Sequence, residues 1–403
     1  MSKRILVIGA GFAGMWSALS AARLLDLRGR TDIEITLVAP AAELHVRPRL
    51  YENDPGAMRA PLQPLFDAVG VRFVAGRVEA IDVARREVSV SSAEAGAEPQ
   101  RLGYDRLVLA AGSRLFRPEI PGLVPHAFNV DQVEDAAALE AHLHALAARP
   151  AGKARNTVVV AGAGFTGIET AAELPARLRA ILGEAADVDV ILIDREAELG
   201  PDLGPGPRPV ITRALTELGV RWKLGSGVAF VDAQGVTLAN GERIDAQTVV
   251  WTAGARASAL TAQVPGEHDR FGRLHVDRNL KVTGVEAVYA TGDCAYAATD
   301  EAGNHAAMSC QHAMNLGRSA GHNAAADLLG EAPLPYSQPK YVTCLDLGPW
   351  GAVYTEGWDR VVKMEGAQAK ALKTQINSEW IYPPAPNRAE ALAAADPQRI
   401  VVA

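Results

Sequence analysis

Apolar and polar positions alternate in recognisable blocks along the chain. The run Lys3-Arg4-Ile5-Leu6-Val7-Ile8 is apolar from Ile5 onward and predicts a buried strand. It ends at Gly9-Ala10-Gly11-Phe12-Ala13-Gly14, after which residues 15–25 carry a helical pattern. Residues 33–38 alternate like a second strand of the same unit. Further strands are predicted at 71–81, 87–91 and 104–109, with polar turns at 84–86 and 93–100. The Pro-rich run 116–125 reads as a linker, and 133–148 as an Ala- and Leu-rich helix broken by Pro150–Gly152.

The opening arrangement then returns. Thr157-Val158-Val159-Val160-Ala161 predicts a buried strand, Gly162-Ala163-Gly164-Phe165-Thr166-Gly167 the loop, residues 168–182 the helix and 188–193 the next strand. A Gly/Pro loop at 201–209 precedes a helix over 209–218 and strands at 220–224, 228–231, 236–238 and 248–251. A short strand at 288–290 runs into Thr291-Gly292-Asp293-Cys294, and 308–329 forms one long helix ended by Gly330. Residues 333–403 mix strands at 341–347 and 351–354 with a helix near 367–376 and a Pro/Ala-rich tail.

A Gly-x-Gly-x-x-Gly turn between strand and helix has a physical reading. The first glycine makes the tight turn, the second lets backbone approach a pyrophosphate, and the third lets helix pack on strand. The anion then meets uncapped N–H groups at the positive end of the helix. A ligand-free turn would carry the same glycines, but two matches in the required strand–loop–helix context point to two dinucleotides. In such units the strand after the first helix ends in an acid that binds the ribose hydroxyls. The second unit has Asp194 there, which favours NADH over NADPH, although Arg195 beside it offers a 2′-phosphate a partner. The first unit has Ala39, and only Glu43 lies near enough to substitute.

Composition narrows the class. The 403 residues are 48% hydrophobic and 22% charged, an ordinary globular balance with room for two or three domains. The net charge of −7 and the lack of a basic block argue against nucleic acid. Cys294, Cys310 and Cys344 form no CxxC or CxxxxC pair, and the nine histidines never adopt metal-site spacing, so no metal is expected. No apolar run reaches the roughly 18 residues of a membrane span, and no targeting segment precedes the first strand. A reducing, cytoplasmic setting is expected.

Taken in order, these motifs resemble the two-dinucleotide-binding-domain flavoproteins, of the pyridine nucleotide-disulfide oxidoreductase type, and most closely type II NADH dehydrogenases. The resemblance covers residues 1–330. It implies an α/β fold with two Rossmann-like, three-layer domains, one for FAD and one for NAD, plus a small α+β C-terminal region. The FAD domain would comprise 1–118 and 266–330, the NAD(H) domain 119–265, and the C-terminal region 331–403. Gly9, Gly11, Phe12, Ala13 and Gly14 match the family's FAD fingerprint, and the segment from Pro48 to Tyr51 is similar to its flavin-side loop. Tyr104–Gly112, ending in Ala111 and Gly112, and Val249–Gly254, ending in Ala253 and Gly254, resemble the two interdomain "ATG" motifs, and Ala290–Ala295 the second FAD motif, in which Gly292 and Asp293 would hold FAD, Asp293 at the ribityl chain. Gly162, Gly164, Phe165, Thr166, Gly167 and Asp194 would hold NADH, with Ala253 and Gly254 beside it.

By the same resemblance, Glu169 faces the nicotinamide–flavin junction as a positioning or proton-handling residue, and Glu173 shares its helix face. Gln311 and Ala313 match the quinone-side helix start, with His312 at its unconstrained place; the resemblance puts Gln311, His312 and Ala313 beside the FAD, Gln311 standing on the acceptor side. Cys310 and Asn315 depart from that motif, which bears on the quinone. Members acting at the membrane end in amphipathic basic helices. Here the only candidate is 366–377, short and weakly apolar, with Lys370 and Lys373, which reads as a surface helix. The aromatic stretch at Trp380 and Tyr382 is expected to pack back on the body.

The implied activity is hydride transfer from NADH to FAD, then electrons to a quinone or other acceptor, with membrane contact at most peripheral, on the inner face, and a homodimer left open. Two alternatives stand beside it: a soluble NAD(P)H reductase of a small molecule or partner protein, and a nucleotide-bound regulatory protein with little turnover.

Overall fold

A computed structural model describes residues 3–91 and 99–399. The polar turn expected at 93–100 falls, for residues 93–98, outside the described residues. Five parallel strands form the first sheet, in the spatial order Val288–Ala290, Arg106–Leu109, Lys3–Ile8, Ile33–Ala39 and Arg72–Ala75. Period-two alternation sorts their side chains. Ile5 and Val7 face helices α1 (Phe12–Leu27) and, from the far end of the chain, a second helix whose range follows below. Leu6, Ile8, Leu107 and Leu109 face a three-stranded antiparallel meander, Arg77–Asp82, Glu87–Ser91 and Gln100–Gly103.

The strand expected over 71–81 is therefore two. Gly76 breaks it, because a side chain there would lie 2.7 Å from the Ser91 carbonyl oxygen. The chain leaves one sheet at Ala75 and joins the other at Arg77.

The second sheet repeats the plan. Val220–Lys223, Asp189–Ile193, Thr157–Ala161 and Thr248–Trp251 are parallel neighbours in that order. Val158, Val160, Val190 and Leu192 face α2 (Phe165–Leu182), while Val159, Ala161, Ile191 and Ile193 pack on the meander Val228–Asp232, Gly235–Leu238 and Arg243–Asp245. An antiparallel strand pair, Ser113–Leu115 with Ala255–Ala257, joins the two sheets. The third layer of each unit is thus a β-meander.

The long helix α3 (Cys310–Leu329) crosses α1 at very close range. A Cβ on Gly317 would sit 2.4 Å from the Ala13 carbonyl oxygen, and one on Gly321 2.0 Å from that of Ser17. In the C-terminal region, Val342–Asp346, Ala352–Glu356 and Val361–Glu365 form an antiparallel sheet on which α4 (Gly366–Gln375) packs. The third of these strands, and the helix Arg388–Ala394 inside the Ala-rich tail, carry no strong sequence signal. Long-range ion pairs dock that tail: Arg23 with Asp396 at 2.7 Å and Arg388 with Asp26 at 2.6 Å. Among the described residues no helix is long and apolar enough to cross a membrane.

Candidate functional site

In open parallel sheets ligands bind beyond the carboxyl ends of the strands, and every singled-out loop lies there. Gly9 follows the first strand with φ +107°, and its N–H donates to the Val38 carbonyl at 2.8 Å. A Cβ on Gly14 would lie 1.8 Å from the Gly9 carbonyl oxygen, so helix and turn touch. A Cβ on Gly11 would meet nothing within 4 Å. Gly11 is the N-cap of α1 and no side chain caps that helix. An open approach and an uncapped helix start are what a pyrophosphate requires.

The second loop reproduces this almost atom for atom. Gly162 has φ +118° and donates to the Ile193 carbonyl at 2.8 Å; a Cβ on Gly167 would lie 1.7 Å from the Gly162 carbonyl, and one on Gly164 meets open space. Gly164 caps α2 without side-chain help, so Phe165 and Thr166 open the helix. Here Asp194 binds the loop itself, accepting the Ala163 N–H at 2.5 Å and the Glu196 N–H at 2.9 Å. Arg195 is largely exposed and pairs with Glu196 at 3.3 Å. Glu43, the candidate substitute in the first unit, pairs instead with Arg59 at 3.2 Å across a small hairpin.

Around the first loop three elements converge. A Cβ on Gly292 would lie 2.7 Å from Ala13 Cβ and 3.5 Å from Ala313 Cβ, which brings the starts of α1 and α3 together at Gly292–Asp293. Ser113, just after Ala111 and Gly112, donates through its hydroxyl to Asp293 Oδ2 at 2.6 Å. Arg47, beside Pro48, lies 3.7 Å from Asp293 Oδ2 and is ion-paired with Asp131. Thr291 is fully buried, and its hydroxyl has no partner among the described residues. A hydroxyl without a partner, a carboxylate and an uncapped helix end suit a polyhydroxylated diphosphate such as FAD. Across the inter-sheet strand pair, Ala253 and Gly254 follow the strand Thr248–Trp251.

Glu169 lies in the second turn of α2 and is 4% exposed. Its Oε1 accepts from Lys373 Nζ at 2.8 Å and from the Asp346 N–H at 3.0 Å. Lys373, 5% exposed, also donates to the Cys344 carbonyl at 3.0 Å and lies under the rings of Tyr51 and Phe165. Burial pushes the Glu169 carboxyl up to about 7 although Lys373 opposes it, and the neighbouring Asp346 adds to the rise. Burial works against the charge on Lys373 too, but Glu169 outweighs it and the ammonium is held above its usual range.

The α4 helix read as a surface helix therefore buries one of its lysines. Lys373 was missed as a site residue because lysine rarely enters a core. The available signal is its alignment with Ala369 and Asn377 at i, i+4 spacing, all three buried.

At the start of α3 the predicted residues diverge. Gln311 is 3.5 Å from both the N and O of Val342, tying the helix to the C-terminal sheet. The His312 ring turns into an aromatic cluster, 5.2 Å from Tyr341 and 5.9 Å from Trp358 between centroids, with Nδ1 3.0 Å from the Ser309 hydroxyl. Burial, helped by Arg273, pushes it down to about 4 and keeps it neutral. The three cysteines are unpaired. Cys294 is fully buried with its thiol 3.5 Å from the Gly112 carbonyl, and burial pushes it up to about 12, a poor nucleophile. Tyr382 accepts a hydrogen bond from Arg49 at 3.0 Å, so the aromatic tail segment does pack back. Among the described residues no group of three or more His, Cys, Asp or Glu is arranged to hold a metal.

Over most of its length the chain is similar to known proteins. A family model described as pyridine nucleotide-disulphide oxidoreductase matches residues 3–317. An NADH dehydrogenase-like protein of Mycobacterium tuberculosis is 48% identical over 402 residues, covering 98% of each chain. A type II NADH:quinone oxidoreductase of Staphylococcus epidermidis is 27% identical, covering 94% of this chain and 95% of its own. Among solved structures, NDH2 from Plasmodium falciparum in complex with NADH superposes with a TM-score of 0.76 at 13% identity, covering 98% of both chains.

Proposed function

The chain belongs to the pyridine nucleotide-disulphide oxidoreductase family and is an FAD-dependent oxidoreductase of nicotinamide nucleotides; we propose that its nucleotide is NADH and its acceptor a quinone. The observation that carries this reading is the doubled loop, with two uncapped helix starts on sheets joined by one strand pair. Gly9, Gly11 and Gly14 with the start of α1 would hold the FAD pyrophosphate, and Asp293 and Thr291 its ribityl hydroxyls. Gly162, Gly164 and Gly167 would hold the nucleotide pyrophosphate and Asp194 the ribose. FAD, when bound, supplies the hydride acceptance and the onward passage of electrons.

The chain's own part is positioning and proton handling. Glu169, held near 7, keeps a proton part of the time at neutral pH, and Lys373 balances the carboxylate when that proton leaves. Asp194 supports NADH because a carboxylate at that place repels a 2′-phosphate. The quinone is supported by the names of relatives and by Gln311 at the head of α3. Peripheral association with a membrane belongs to the same reading.

The test is steady-state turnover with NADH against NADPH, each offered a short-chain quinone, a soluble dye and a one-electron protein acceptor. Preference for NADH with the quinone supports the reading. Quinone turnover no faster than the dye's would move the acceptor to a small molecule or partner protein.

A further inference from the structure

Oxidation of NADH by a two-electron acceptor A draws one proton from solvent per turnover: NADH + H⁺ + A → NAD⁺ + AH₂. Glu169 and Lys373 are too deeply buried to collect it directly. A cavity of about 340 Å³ opens between residues 49–58 and α4, and its wall includes Arg49, Glu52, Glu173, Asp346, Lys370 and Lys373. It thus reaches from solvent to the ammonium that holds Glu169, with room for several waters.

A second tier of ionic groups stands just outside the first. Lys370, one turn before Lys373, lies 2.6 Å from Asp346 Oδ1 and 3.5 Å from Glu173 Oε1, and Glu173 is one helical turn beyond Glu169. The tiers meet at Asp346, whose side chain binds Lys370 while its N–H binds Glu169. The Tyr51 hydroxyl is a further polar group beside the pair; the residue is 2% exposed and that oxygen has no partner among the described residues.

We propose that this cavity is the proton intake of the enzyme, Glu173 passing a solvent proton inward toward Glu169 while Lys370 positions Glu173; the inference rests on the reading of the enzyme as one that oxidises NADH with a two-electron acceptor. Lys373 gives the proton of its 2.8 Å hydrogen bond to Glu169 Oε1, from which it leaves for the reduced acceptor, and Lys373 is refilled through the cavity water by a proton that Glu173 has taken from solvent. No electrons move in these steps. Lys370 holds the Glu173 and Asp346 carboxylates in place and offsets their charge. Lys373, Asp346, Tyr51 and Cys344 face Glu169, Lys370, Asp346 and Arg177 face Glu173, and Glu52 stands beside Tyr51. Burial raises the Glu173 carboxyl, with the neighbouring Asp346 adding to the rise and Lys370 opposing it, the same direction as at Glu169.

The test uses FAD-loaded wild type with E173Q, K370M and E173D. Turnover is measured from pH 6 to 9 in H₂O and D₂O, and anaerobic flavin bleaching by NADH separately. E173Q is expected to bleach within twofold of wild type and to keep its KM for NADH. Its kcat should fall about tenfold at pH 8, less at pH 6, with a larger solvent isotope effect. E173D should recover most of the loss, and K370M should follow E173Q, which covers failure of E173Q to fold. Turnover of E173Q and K370M within twofold of wild type at every pH, with an unchanged isotope effect, overturns the intake. A wild-type flavin that NADH does not bleach would instead overturn the NADH reading, and the intake with it.

Discussion

The two glycine loops are one structure used twice, alike but for Ala13 against Thr166, and the strand that follows each differs at one telling residue. Gly9 donates to Val38 and Gly162 to Ile193, both at 2.8 Å, so Ala39 and Asp194 are counterparts in register. In the second unit the Asp194 carboxylate takes the Ala163 N–H; in the first, the methyl of Ala39 leaves the corresponding Ala10 N–H without that acceptor. On the proposed function, backbone alone would build the pyrophosphate end of each site, and one side chain after the second strand would set the adenosine end. The surroundings differ as well. The first unit's α1 is clamped by α3 through Gly317 and Gly321, whereas α2 turns Glu169 toward the C-terminal region. On the proposed function the first unit would keep its ligand and the second would exchange its ligand beside the Glu169–Lys373 pair.

The largest effect should come from filling the third glycine of either loop. Gly14→Ala drives a methyl into the Gly9 carbonyl, and the purified protein should be colourless. Gly167→Ala meets the same clash in the other unit; the protein should stay yellow while NADH-driven bleaching slows about 100-fold, as expected of ångström-scale misplacement. Loss of flavin from Gly167→Ala would reverse the assignment of the two units.

Next comes the buried pair. Lys373→Met leaves Glu169 without its cation, and urea unfolding at pH 8 should show a loss of about 3 kcal/mol. At pH 6 the loss should be smaller, because Glu169, already raised to about 7, takes a proton and needs no partner. An equal loss at both values would mean that Glu169 is not raised.

His312, present only in the first unit, gives an effect of similar sign-definite kind. Its folded value of about 4 is below the unfolded one, so the stability it contributes is full above about 6.5 and is lost as pH falls toward 4. His312→Gln should remove up to about 3 kcal/mol of that acid-side slope; an unchanged slope between pH 6.5 and 4 would show the ring titrating normally.

The smallest effects fall on the residue that distinguishes the units. Asp194→Ala should raise the KM for NADH about tenfold and spare FAD. Ala39→Asp should slow flavin loss a few-fold by supplying the missing acceptor. If neither substitution shifts its own ligand, Ala39 and Asp194 are not functional counterparts.

Much of this was legible in the chain because backbone dictates it. Strand, glycine loop and helix recur with the same spacing, and the carboxyl end of a parallel strand is a fixed place. What escaped depends on contacts made far along the chain. Lys373 sits on a weakly amphipathic helix and becomes a site residue only when α2 brings Glu169 against it, 204 residues away in sequence. The break at Gly76 depends on Ser91 lying across the meander, and the burial of His312 on Tyr341 and Trp358. Helix Arg388–Ala394 is anchored by Arg23 and Asp26 of α1, which no local pattern announces.

The central claim is that two equivalent loops serve different dinucleotides, the first FAD and the second NADH. Anaerobic stopped-flow of the FAD-loaded protein with NADH, wild type beside Gly167→Ala, measures it directly. The account predicts wild-type bleaching far faster than free flavin, and a Gly167→Ala protein that retains its flavin but bleaches about 100-fold more slowly. Bleaching of wild type no faster than free flavin, or equal rates in the two proteins, would contradict it.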